Sequence, residues 1–341
     1  MLYFTTFFDS NYLSKGITLF NSLKKQTKSP FKIYLLCLDE KTYDFFTINK
    51  TDFEFIELIL IKDIEDSFPE LKQVKKNRTL IEYYFTLSPI LPLYLLKIYN
   101  NDHICSMDAD LFFYNNPDII FEKLTQFSII ITPHKFSKEL NDRKKYGLYN
   151  VSFQIFKNNN IGIECLEKWK NNCIDWCHDY YDEKEHRFAD QKYLDIWEKE
   201  YKNTILILDD SISGLAVWNA NNYNLRISDN VFFSNDEKVL FYHFHNFKLV
   251  TSNLFLNGFN NYKVKRNKTL DFIYQQYYLT LNTNIYKYKL QPEHYIRSNK
   301  KRLISMLMED CTFYVFNKSI IHINLKFIPK FIRKLLIKIY G

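Results

Sequence analysis

Glycine is scarce in this chain, six in 341 residues. Loops that cradle phosphates need glycine so that backbone N–H groups can come close. Neither G-x-G-x-x-G nor G-x-x-x-x-G-K-[ST] occurs, which removes the common nucleotide fingerprints. Cysteine is sparse as well. Six thiols at irregular spacing do not make a disulfide scaffold, and they are expected reduced in a cytoplasmic protein. The opening stretch MLYFTTFFDSNYL has no basic lead, and Thr5, Thr6 and Asp9 break its apolar run. It does not read as a signal peptide. No uncharged apolar run reaches the ~20 residues of a membrane span. The longest, YYFTLSPILPLYLL, carries Pro89 and Pro92. Acids are missing from the last stretch, Cys311 to Gly341, which holds six bases.

What is present is apolar and aromatic. Hydrophobic residues are 46% of the chain and aromatic residues 18%, enough for a large core. The net charge of +7 comes almost entirely from the acid-free tail. The remainder is near neutral and lacks the broad basic face of a nucleic-acid binder, so no nucleic-acid partner is expected.

The first forty residues read as strand, helix, strand. LYFTTFF is β-rich. YLSKGITLFNSLKKQ places Leu13, Ile17, Phe20 and Leu23 at helical spacing, and FKIYLLCLD is a short apolar run ending in an acid. Such units imply an α/β fold with a mainly parallel sheet. Further strands are expected at FEFIELILI, HICSMDADLFF, FSIIITPH, SFQIFKN, TILILDD and VLFYHFH. Helices are expected at NRTLIEYYFTLSPILPLYLLK as far as its prolines, at GIECLEKWKNNCIDWCHDYY and at FADQKYLDIWEKEY. From about residue 268 the pattern is helical. The strand signals end near residue 265, which divides the chain into a catalytic domain, 1–265, and a helical C-terminal region, 266–341.

In an open α/β sheet, ligands sit at the carboxyl ends of the strands. Asp108 and Asp110 in SMDADLFF fall there, one residue apart among apolar neighbours. Two carboxylates that close repel, and desolvating them costs more unless a cation neutralises them. Hard oxygen ligands suit Mg²⁺ or Mn²⁺, and an added imidazole favours Mn²⁺. Asp9 after the first strand, and His243 and His245 near the end of a late one, would lie at the same edge.

Five stretches, in order, resemble glycosyltransferase family 8, nucleotide-sugar transferases of the GT-A fold. They are FTTFFDSNYLSKGITLFNSL, NRTLIEYYFTLSPILP, SMDADLFFYNNP, FADQKYLDIW, and GLAVWNANNYNL followed by LFYHFHNFK. Together they span about residues 1 to 250. The chain departs from the family in its closing loop. Asn246 stands where glycine is usual, Lys248 is one residue early, and no Lys-Pro-Trp follows.

The resemblance implies a role for each matching residue. Asp108 and Asp110 bind the metal, Mn²⁺ or Mg²⁺, with His243 as third ligand and His245 as the alternative. Thr6, Asp9 and Tyr12 surround the base and ribose of the donor. Arg78, Asp108 and Asn150 contact the donor, and Lys248 its diphosphate. Asp190 and Gln191 face the donor sugar and the acceptor and carry the chemistry. The implied reaction moves a hexose from a nucleotide sugar, a UDP-sugar first, to a surface glycan or glycolipid, with retention.

Several residues also have plainer readings. Asp190 would cap a helix at QKYLDIW, and Asp9 would cap the first helix. Arg78 could pair with Glu82. Cys173, Cys177 and His178, with Cys165, lack a standard zinc spacing and read as core thiols. The tail FIPKFIRKLLIKIY would form a helix with Phe331, Ile332, Leu335, Leu336 and Ile339 on one side and most of its bases on the other. That pattern fits an interfacial helix on an anionic membrane. The expected location is cytoplasmic, peripheral to the inner membrane, near a lipid-linked acceptor. A rival reading is a magnesium phosphatase of the haloacid-dehalogenase type, with LDDS at 208–211 as its later acids, but Phe112 occupies a position where that motif needs Thr or Val. Another is a non-catalytic glycan- or membrane-binding protein on the same fold.

Overall fold

The structure, a computed structural model, describes residues 1–251, 254–290, 312–316 and 319–323. The basic tail helix expected beyond residue 324 lies outside these residues.

The chain begins with β1 (Leu2–Phe8), α1 (Leu13–Gln26), β2 (Phe31–Cys37), α2 (Glu40–Ile48) and β3 (Ile56–Leu60). Two short helices, α3 (Ile61–Ser67) and α4 (Leu71–Val74), lead into the long α5 (Leu80–Tyr99) and then β4 (His103–Met107). Next come β5 (Leu111–Phe113), α6 (Asp118–Phe121), β6 (Ile129–Pro133), β7 (Tyr149–Lys157) and α7 (Asn160–Asp175). After α8 (Trp197–Glu200) and β8 (Ile205–Ile207) the strands shorten: β9 (Leu215–Ala216), β10 (Leu225–Ser228), β11 (Val231–Ser234), β12 (Glu237–Lys238), β13 (Phe241–His243), β14 (Lys248–Thr251) and β15 (Leu254–Leu256). The helix α9 (Lys268–Tyr288) and the strands β16 (Thr312–Phe316) and β17 (Ser319–Ile323) follow.

Seven strands form the central sheet in the order β3-β2-β1-β4-β7-β6-β8. All neighbours are parallel except β7, which runs antiparallel to both β4 and β6. The sheet is buried on both faces, and its side chains alternate between two cores. Tyr34, Leu36, Ile104, Ile129 and Ile131 enter the core under α5 and α7. Phe4, Ile33, Leu35, Cys105 and Ile130 enter the core under α1. The period of two is the pleat itself. Burial on both faces explains the near-continuous apolar runs in the sequence.

Four expectations differ. Beyond residue 265, where only helix is expected, β16 and β17 form a four-stranded sheet with β14 and β15. α5 runs through Pro89 and Pro92 instead of stopping before them. A mid-helix proline costs about 3 kcal/mol. Leu87, Ile90, Leu91 and Leu93 around them are fully buried, so packing outweighs that cost. α7 stops at Asp175, earlier than expected. Trp176 turns extended, and the Arg78 guanidinium donates to the carbonyls of Cys173 (3.3 Å) and Ile174 (3.1 Å) at the helix end. The segment at FADQKYLDIWEKEY is a 3₁₀ turn, Gln191–Ile196, followed by the short α8.

A second, three-stranded sheet, β5-β13-β9, stands at the carboxyl end of the first. It shares a third core with α9, where the Phe244 and Tyr277 rings stack at 3.9 Å. α9 is also tied to α1. Asn284 accepts from Asn21 and donates to the Thr18 hydroxyl, both at 3.0 Å.

Candidate active site

Asp108 and Asp110 occupy the turn between β4 and β5. The Asp108 N–H donates to the Ser152 carbonyl on β7 at 3.0 Å, and the Asp110 carbonyl accepts from Phe244 N–H at 3.0 Å. β5 pairs antiparallel with β13, setting His243 opposite Leu111. The ladder therefore brings a histidine 133 positions away in sequence against Asp110. His243 Nε2 lies 2.9 Å from Asp110 Oδ1 and 3.6 Å from Asp108 Oδ2. Among the described residues, Asp108, Asp110 and His243 form the one group of three such side chains whose ligand atoms lie within 4.8 Å of one another.

The electrostatics fit a cation site. Burial pushes the Asp110 carboxyl up, but the charge of His243, its hydrogen bond and the charge of Lys15 hold it well below the usual carboxylate range. Desolvation lifts Asp108, His243 pulls it back, and the repulsion of Asp110 adds to the lift. Burial lowers His243, and Asp110 more than reverses this. Two oxygen donors and one imidazole suit Mn²⁺ or Mg²⁺.

His245 is half-buried, with its ring 5.5 Å from that of His243. Burial, then the charge of His243, pushes it down to about 3. Trp218 sits edge-on to both, 5.1 Å from His243 and 5.3 Å from His245. Asn219 holds it there by donating to the carbonyls of His134 and Gly214 and accepting from Ala216 N–H. The Trp-Asn pair is thus a tryptophan against the histidines and an asparagine stitching the loop.

Asp190 is the second buried carboxyl. It is 2% exposed, and its Oδ2 has no hydrogen-bond partner. It makes no side-chain cap bond to the following turn, so the helix-cap reading does not describe it. Burial raises its pKa to about 7, with the Ser88 hydroxyl pulling it down and the charge of Asp108 pushing it up. Gln191 donates to the Tyr146 carbonyl at 3.0 Å.

The other expected donor contacts are distributed around this edge. Thr6, near the end of β1, is buried with an unpartnered hydroxyl. Asp9 caps the turn Ser10–Tyr12 through Asn11 N–H. Tyr12 is exposed, with Lys15 Nζ 4.3 Å from its ring centre. Asn150 accepts from Ser152 N–H at 3.1 Å and from its hydroxyl, and donates to the Pro133 carbonyl at 3.3 Å. Lys248 opens β14, close enough for its charge to act on His245. Arg78 does not pair with Glu82, whose carboxylate caps α5 through Thr79 and meets His178 at 3.0 Å. Arg78 instead bonds the end of α7, and its Nε and Nη1 remain buried without partners.

Sequence reasoning missed Lys15 and Ser88. Lys15 is 2% exposed on α1, and its charge reaches Asp110, His243 and His245. Its i,i+3 spacing from Tyr12 was the available signal. The acids at LDDS are engaged elsewhere. Asp209 pairs with Lys135 at 2.6 Å, and Asp210 accepts from Ile212 and Ser213 N–H. The thiols of Cys165, Cys173 and Cys177 are free and buried in the core under α5 and α7. Among the described residues, no helix is long and apolar enough to cross a membrane.

Position 246 in the closing loop admits an asparagine where the resembled family has glycine. Asn246 has φ 61°, in the left-handed region. Glycine takes that conformation freely, and asparagine is among the other residues that tolerate it best.

No protein-family model matches the chain. It is 28% identical over 281 residues to the uncharacterized protein YfnD of Bacillus subtilis, covering 82% of this chain and 88% of that protein. It is 27% identical to YfnF of the same organism, covering 82% of this chain and 91% of that one. In structure it is similar to the galactosyltransferase LgtC, solved with donor and acceptor sugar analogs. The TM-score is 0.53 at 12% identity, covering 83% of this chain and 96% of that one. The chain therefore has the GT-A fold that its ordered motifs resemble.

Proposed function

We propose that this protein is a metal-dependent glycosyltransferase that moves a hexose from a UDP-sugar to a surface glycan or glycolipid, with retention at the anomeric carbon. The observation that carries the reading is the Asp108–Asp110–His243 cluster, assembled from distant stretches at the carboxyl end of the sheet. LgtC, which shares the fold, is a galactosyltransferase solved with donor and acceptor analogs.

Asp108, Asp110 and His243 would hold the divalent ion, Mn²⁺ in preference to Mg²⁺. The bound ion supplies charge neutralisation to a diphosphate leaving group. Thr6, Asp9 and Tyr12 are assigned to the base and ribose, Arg78 and Asn150 to the donor, and Lys248 to the diphosphate. The bond from the anomeric carbon to the diphosphate breaks, and an acceptor hydroxyl oxygen takes its place, its proton passing to the departing diphosphate. Charge accumulates on the diphosphate, where Lys248 and the orphaned Arg78 donors would stabilise it. Asp190 holds a proton near neutral pH or, ionised, orients the acceptor hydroxyl or stabilises positive charge at the sugar. Gln191 positions the sugar beside it.

A thermal-shift series with UDP and UDP-hexoses, with and without Mn²⁺, tests this. Ligand that binds only the folded state raises the melting temperature. Stabilisation of the wild type that requires metal, and that Asp110→Asn abolishes, is the expected result. No shift with any nucleotide would sink the reading.

A further inference from the structure

Two runs of bases that are far apart in sequence meet at the mouth of the site. Residues 138 to 145 hold four bases and two acids, and residues 263 to 271 hold four bases and one acid. Folding joins the runs. Arg143 donates to the Asn261 carbonyl at 2.8 Å and lies over the Tyr262 ring at 4.4 Å. Lys263 donates to the Glu139 carbonyl at 2.9 Å, and Lys265 lies 3.5 Å from the Glu139 carboxylate. Lys138, Lys144, Lys145, Lys265 and Lys268 are exposed. The rim gathers eight bases against three acids, two of which are paired, Glu139 with Lys265 and Asp271 with Arg266 at 2.7 Å.

The rim adjoins the site on two sides. Tyr262 stands 5.7 Å from His245, beside the candidate ligands. Tyr146 receives the Gln191 side chain on its carbonyl. The Tyr146 ring packs 4.8 Å from Phe188 and 6.1 Å from Tyr181, and Lys145 reaches over both tyrosines at 5.1 and 5.3 Å. Aromatic faces suit the C–H faces of sugars, and lysines suit an anion. The nearby acids are partly neutralised, since Arg187 pairs with Asp182 at 2.9 Å and Lys184 lies 3.8 Å from Glu185.

We infer that this rim is the acceptor surface and that the acceptor is an anionic saccharide, a glycan bearing phosphate, sulfate or carboxylate. The inference rests on the transferase reading and names the chemistry of its second substrate. A bare polyanion would not need the tyrosines, and a lipid surface would not need a platform beside Gln191.

The test uses the full chain and four probes: a heparin tetrasaccharide, neutral maltotetraose, inorganic tripolyphosphate and phosphatidylglycerol vesicles. The tetrasaccharide should bind at least tenfold more tightly than maltotetraose. The triple variant Lys138→Gln/Lys144→Gln/Lys145→Gln should lose at least tenfold in tetrasaccharide affinity, with Mn²⁺–UDP binding within twofold of wild type. Tyr146→Leu/Tyr181→Leu should weaken the tetrasaccharide and leave tripolyphosphate unchanged. Equal tetrasaccharide binding by the triple variant overturns the inference. So does tripolyphosphate binding as tight as the tetrasaccharide with no effect of the tyrosine changes, or vesicle binding without tetrasaccharide binding. A wild type that binds Mn²⁺–UDP but not the tetrasaccharide sinks only the acceptor assignment. Absent Mn²⁺–UDP binding sinks the transferase reading and this surface's role with it.

Discussion

Asp110 and Asp190 are buried carboxyls, both within electrostatic reach of Asp108, yet the protein shifts their pKa values in opposite directions. Asp110 has His243 at 2.9 Å and the charge of Lys15 nearby, and it stays ionised. Asp190 has the Ser88 hydroxyl and one oxygen with no partner, and its pKa rises to about 7. Burial alone does not decide the state of an acid. The charges folded around it do. One carboxyl is suited to holding a cation, and the other to exchanging a proton or meeting a sugar.

Removing each side of that contrast gives the largest effects. Asp110→Asn should cut transfer by on the order of 10³-fold and abolish metal-dependent binding of UDP, read by calorimetry with Mn²⁺. Asp190→Asn should cut transfer by about 10²-fold with Mn²⁺–UDP affinity unchanged. Equal loss of donor binding in both variants would erase the distinction.

The same pair differs in pH dependence. The folded pKa of Asp190 lies above its unfolded value, so between about pH 4 and 7 the native state binds more protons than the unfolded one. Stability tied to this group is therefore full below pH 4 and falls as pH rises to about 7. The loss amounts to at most about 4 kcal/mol. Asp190→Asn should accordingly raise the melting temperature at pH 8 and leave it unchanged at pH 4. Thermal denaturation at both pH values measures it.

Smaller changes sharpen the metal side alone. His243→Ala should weaken Mn²⁺ binding by about 10- to 100-fold, whereas His245→Ala should act within a few-fold. The reverse ranking would make His245 the ligand. Gly16→Ala is the mildest. A Cβ there would meet Phe8 Cζ at 2.2 Å, a fully packed ring, and the strain should cost about 1–3 kcal/mol. It displaces α1, which carries Lys15, so Mn²⁺ binding should shift slightly while the pH slope from Asp190 persists.

Some of this arrangement could be read from the sequence. β1, α1 and β2 were legible because a period of two gives way to helical spacing and back. Asp108 and Asp110 stood out because acids at the end of an apolar strand need a reason. α5 was misread because local propensity stops a helix at Pro89, and only tertiary packing reveals why it continues. The end of α7 was invisible because it depends on Arg78, 95 positions away from Cys173. Lys15 escaped notice because a lysine on an amphipathic helix looks solvated until the fold closes over it.

The ladder that sets His243 opposite Leu111 has a further consequence. Two of the three candidate ligands, Asp110 and His243, are spaced by the backbone pairing around β5 and β13. An ion held there would then not be a structural keystone, and a chelator should not unfold the chain. In the proposed reaction an exchangeable ion could then accompany the donor in and the spent nucleotide out. The rate of that exchange, more than the affinity of the empty cluster, would then set how the protein responds to scarcity of the metal.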